Sequence, residues 1–65
     1  MSETENTQSR IALQEELSNR MRRLAEKMEK KAEELAKAGR YEEALECYEL
    51  AGYLKGAADI FEDLV

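Results

Sequence analysis

The sequence predicts an all-α fold in which a long N-terminal helix lies antiparallel to a second helical arm. Composition is the first observation behind this. The 65 residues are rich in Ala, Glu, Lys and Leu, contain no Pro, and place glycine only at 39, 52 and 56. The second is periodicity, since apolar residues recur at alternating steps of three and four through the first half. The third is punctuation: Ala38-Gly39-Arg40 is a strong stop signal between two such stretches.

A chain of this length makes a single domain and buries a small fraction of its surface. Mini-proteins of this kind usually need disulfides, a metal or a neighbour to pack against. Cys47 is the sole cysteine and there is no histidine, so an intrachain disulfide and an ordinary zinc site are both excluded. Packing against another chain, or against more of its own, is what remains.

Residues 1–8 are polar and acidic without periodicity and are expected to form a disordered tail. The long helix is expected over about 9–38, capped near Thr7 or Ser9. Leu17, Met21, Leu24, Met28 and Leu35 form its stripe, interrupted by Lys31, with Ala25, Ala32 and Ala36 flanking the same seam. Ile11 and Leu13 lie beyond the compact part. Gly39 suits the left-handed conformation that closes a helix, and Lys37 suits the negative end of its dipole.

A second helix follows over 41–51, with Glu42 and Glu43 favourably placed in its first turn. So short a link makes the two helices antiparallel neighbours. Tyr41, Leu45 and Tyr48 are expected to cover the first helix. After Gly52 the apolar set becomes Tyr53, Leu54, Ala57, Ala58, Ile60, Phe61 and Leu64, rotated by about 130° at 100° per residue. A break at Gly52 followed by a third helix over 53–64 accounts for this shift. One continuous helix whose two halves bury against different things accounts for it as well.

Ala32, Leu35, Gly39, Tyr41, Ala44, Tyr48 and Ala51 resemble the small/large spacing of a tetratricopeptide repeat, strongest over Ala38-Gly-Arg-Tyr-Glu-Glu-Ala-Leu-Glu-Cys-Tyr. The likeness covers one repeat and about half the chain. It departs at Met28, where the family has an aromatic, at Lys31, where it has an apolar residue, and in lacking the closing proline. The same residues, with Ala51-Gly-Tyr-Leu-Lys-Gly-Ala, also look like the first hairpin of a microtubule-interacting-and-transport domain. Both resemblances imply an interaction module, and neither names a partner.

The chemistry-bearing residues point away from catalysis. Cys47 has no histidine to activate it and reads as a packing residue, in the core or at an interface. Carboxylate pairs such as Glu15/Glu16, Glu33/Glu34 and Glu42/Glu43 point about 100° apart on charged faces and read as solvated surface. No phosphate-binding glycine loop or nucleophile elbow is present. No enzyme activity, cofactor or metal is therefore expected.

Charge is uneven along the chain. Arg20, Arg22, Arg23, Lys27, Lys30, Lys31, Lys37 and Arg40 crowd the stretch 20–40, while the arm after it is acidic and the net charge is −5. The expected reading sets the basic arm beside the acidic one. The alternative, a small nucleic-acid-associated regulator using 20–40, is disfavoured by the acidic balance and by the lack of aromatics in that stretch. No apolar run is long enough to span a membrane, no signal peptide is legible, and the unpaired thiol points to a cytoplasmic, reducing setting.

The most informative feature is an apolar surplus. The later residues carry more apolar side chain than one neighbouring helix can shield, which marks association with a protein partner or a second copy. The expected interface residues are Leu17, Met21 and Leu24 from the first helix, with Leu50, Leu54, Ile60, Phe61 and Leu64 from the second arm.

Overall fold

The computed structural model describes the backbone of residues 3–63 and the side chains of residues 8–63. It is all-helical over that range: α1 runs Glu3–Lys37 and α2 runs Tyr41–Asp63, packed antiparallel. α1 begins inside the stretch expected to be a tail, where neither Gly nor Pro interrupts the sequence. At 1.5 Å per residue the helices are about 52 and 34 Å long.

The turn between them forms as its residues dictate. Gly39 sits at φ +80°, in the left-handed region that costs a side chain dearly. Arg40 N–H donates to the Leu35 carbonyl at 2.9 Å, and Gly39 N–H donates to the Ala36 carbonyl at 3.0 Å. This crossed pair is the Schellman closure, which satisfies carbonyls that the end of α1 leaves open. Arg40 then starts α2, its carbonyl accepting from Ala44 N–H at 3.0 Å while its guanidinium pairs with Glu43 at 2.5 Å.

α2 is continuous through Gly52, so the expected third helix over 53–64 is not seen; Leu64 itself lies outside the described residues. A glycine weakens a helix by about 1 kcal/mol relative to alanine, too little to break one flanked by good formers and held along its length. The rotated apolar set belongs to a second surface of the same helix. Adding a Cβ at Gly52 or Gly56 would meet nothing within 4 Å. Gly52→Ala and Gly56→Ala are each expected to stabilise the fold by about 1 kcal/mol, raising Tm by about 5 °C. A fall in Tm at Gly52 would show that the chain does bend there.

The helices meet through small residues. Buried positions are Ser18, Ala25, Ala32 and Leu35 on α1 and Ala44, Ala51 and Ala58 on α2. Apart from Leu35, they repeat every seven residues on both helices, the spacing that keeps one narrow line of each turned to the other. Ser18 Oγ donates to the Ala58 carbonyl at 3.4 Å, and Ala32 clusters with Ala44. Equal steps therefore set Ala25 opposite Ala51. A serine that reaches the other backbone needs axes at the short end of the usual spacing of roughly 8–10 Å.

In this register Asp63 falls level with Leu13, so residues 3–12 of α1 project past the end of α2. The whole is a thin rod of 56 × 14 × 10 Å with a radius of gyration of 15.9 Å, against roughly 11 Å for a globular chain of this length. Among the described residues nothing folds back to cover a flank.

Candidate interaction face

With Ala25 and Ala51 as the points facing across the seam, 100° per residue fixes where every other side chain lies. Leu17, Met21, Leu24, Met28 and Leu35 stand about 40–100° round one flank of α1. Cys47, Leu50, Leu54 and Phe61 stand about 40–100° round α2 in the same rotational sense. For antiparallel helices, equal senses of rotation lead to the same side of the pair. These side chains thus share one side of the hairpin, a flat apolar face two helices wide.

The opposite side confirms this assignment because its partners are ion-paired. Arg22 bridges the helices to Asp59 at 2.6 Å and to Glu62 at 3.0 Å, and Lys55 pairs with Glu29. The Arg22 guanidinium is held protonated even more firmly than usual, first by its hydrogen bond to Asp59 and then by that to Glu62. The basic arm does lie beside the acidic one there. Arg20 and Arg40 are also engaged, with Glu16 at 2.8 Å and Glu43 at 2.5 Å.

The structure brings most of the sequence-predicted interface residues together. Leu17, Met21, Leu54 and Phe61 are half-buried along the face, while Leu24 and Leu50 are each 49% exposed. Ile60 does not join them. It points away from α1, 65% exposed, and with Gly52, Tyr53, Gly56 and Ala57 lines a shallow depression on the outer side of α2. Leu64 lies outside the described residues.

Another expectation needs correcting. Tyr41, Leu45 and Tyr48 do not cover α1; they are 71%, 59% and 46% exposed. Alanines take the contact instead, because backbones this close leave no room between them for a large ring or leucine. Cys47 is half-buried and packs on the cluster of Ala32, Leu35 and Ala44. Sequence reasoning missed Met28 as a member of the face, having assigned it to the seam, whereas Leu35 is 7% exposed and packs with Ala32 and Ala44 at the seam as expected. The seven-residue repeat of Ser and Ala was the signal that separates the two.

The elongation of the hairpin shows in its total accessible surface. The chain exposes 5267 Å². A compact monomer of 7.5 kDa exposes about 4,200 Å². The excess of about 1,000 Å² reflects the elongated shape of the hairpin. Among the described residues no group of His, Cys, Asp or Glu is placed to hold a metal ion, and no helix is long and apolar enough to cross a membrane. In comparison with known proteins, the chain matches no family model, no curated protein and no solved structure.

Proposed function

We propose that this chain is a non-catalytic helical protein–protein interaction or assembly module. Its apolar side, built on Leu17, Met21, Leu24, Leu50, Leu54 and Phe61, receives either a second copy or an amphipathic helix of a partner. One observation carries the reading: the hairpin closes mainly on small residues, and Leu24 and Leu50, each 49% exposed, stand with half-buried Leu17, Met21, Leu54 and Phe61 on one uncovered side. An alanine seam returns only about 0.8 kcal/mol per methyl buried, so much of the available hydrophobic stabilisation lies outside it, in part on the open flank. Contiguous apolar surface of this extent normally marks association. The unpaired Cys47 suits action in a reducing, cytoplasm-like compartment.

Sedimentation over a wide concentration range, with binding of an apolar dye measured alongside, tests the proposal. Either mass above that of one chain or strong dye binding by the monomer is expected. A stable monomer that binds no dye would sink it.

A further inference from the structure

Resting on that reading, we propose that the occupant of the apolar face is a second copy of this chain, related by a twofold axis parallel to the helices. The resulting four-helix bundle seats α1 of each copy on α2 of the other. Area supports a second copy. The face is about 34 Å long and about 20 Å wide, so roughly 700 Å² is offered by each copy. A standard stable interface takes about 800 Å² per partner.

Charge along the edges selects the arrangement. By the same 100° steps the outer edge of the face is basic on α1, at Lys27 and Lys31, and acidic on α2 at Glu46, while Glu43, paired with Arg40, lies within the face about 80° from the seam. A twofold axis across the helices would stack α1 on α1 and α2 on α2, setting like charge against like. An axis along the helices exchanges them, so the basic edge of one copy meets the acidic edge of the other, and every adjacent pair is antiparallel.

The register then follows without adjustment. Rotation about an axis parallel to the helices leaves heights unchanged, so the residue of the partner's α2 level with any position in α1 is the one level with it in its own chain. Lys31, between Ala25–Ala51 and Ala32–Ala44 in height, stands level with position 45. It therefore meets the partner's α2 between Glu43 and Glu46. Lys31 is the charge that interrupts the apolar stripe of α1, and this contact gives it a partner. Neither Lys31 nor Glu46 enters an ion pair among the described residues, and both are exposed. Flanking charges of this kind set partner and orientation in helical assemblies.

The test is a charge exchange read by sedimentation equilibrium on the full chain, with helicity checked by circular dichroism. The wild type is expected at twice the single-chain mass. Lys31→Glu and Glu46→Lys should each weaken the dimer about tenfold, since symmetry counts every reversal twice. Combining both changes in one chain should restore affinity to within about threefold, and so should mixing the two single variants. The mixture is decisive, because only a contact between chains is repaired by it. A wild type that is monomeric to hundreds of micromolar yet binds dye would overturn the second copy while leaving an interaction face for another partner. A dimer indifferent to all four samples would overturn the arrangement. A monomer that binds no dye would remove both.

Discussion

Ala51→Leu is expected to destabilise the hairpin by about 3 kcal/mol, comparable to truncating the buried Leu35 and more than deletion of any large apolar side chain from the open flank. Ala51 is 2% exposed and stands opposite Ala25, which is wholly buried. A leucine inserted there has no void to enter: its extra carbons meet the backbone and Cβ of α1. The helices must part along the seam, opening Ala44 and Ala58 to either side. Overpacking commonly costs about 1–3 kcal/mol, and a contact with rigid backbone belongs at the upper end. For a chain of this size that is much of its total stability. By contrast, Leu24→Ala removes several carbons from a half-exposed side chain, replaces a good helix former with the best one, and should shift the monomer by less than about 1 kcal/mol. Urea midpoints at a concentration low enough to hold the chain monomeric measure both. Equal midpoints for Ala51→Leu and wild type would mean that the helices do not approach as closely as the Ser18–Ala58 contact requires.

That inversion of the ordinary rule for cores also explains what was legible in the sequence. The turn was fully legible, because Gly39 is the only residue type that adopts its conformation cheaply and the flanking charges agree with it. The antiparallel pairing followed from the length of that turn. The seam was not legible from large apolar residues, because their stripe on α1 marks a flank that is adjacent to the contact line. Ser18, Ala25 and Ala32 are individually unremarkable in a helix rich in alanine. Only their common step with Ala44, Ala51 and Ala58 distinguishes them, and it becomes evident once the two helices are set side by side. Gly52 misled for a related reason. Apolar residues on α2 rotate at that point because Tyr53, Ala57 and Ile60 lie on its outer surface while Leu54 and Phe61 stay with the face, and a rotating pattern on one straight helix imitates a break.

The interface assignment makes the second large prediction, since it separates residues that composition alone treats alike. Leu24→Glu or Leu50→Glu should weaken association by at least about 100-fold, whereas Ile60→Glu should change it by less than about threefold. Burying a leucine contributes about 1.5–3 kcal/mol, and a symmetric contact loses that amount in each copy, before the cost of desolvating a carboxylate is counted. Glutamate is a good helix former, so the hairpin itself keeps its local propensities in both face variants. The comparison with Ile60 carries the argument. All three side chains are large, apolar and about half-exposed or more, and all would be placed at an interface by hydrophobicity. Geometry assigns Leu24 and Leu50 to the shared flank and Ile60 to the far side of α2. If Ile60→Glu abolished association while Leu24→Glu spared it, the partner would have to sit in the depression beside Gly52 and Gly56. The flank would then be apolar for some other reason. Helicity followed on dilution separates loss of association from loss of folding, because a chain that folds only when paired unfolds as its concentration falls.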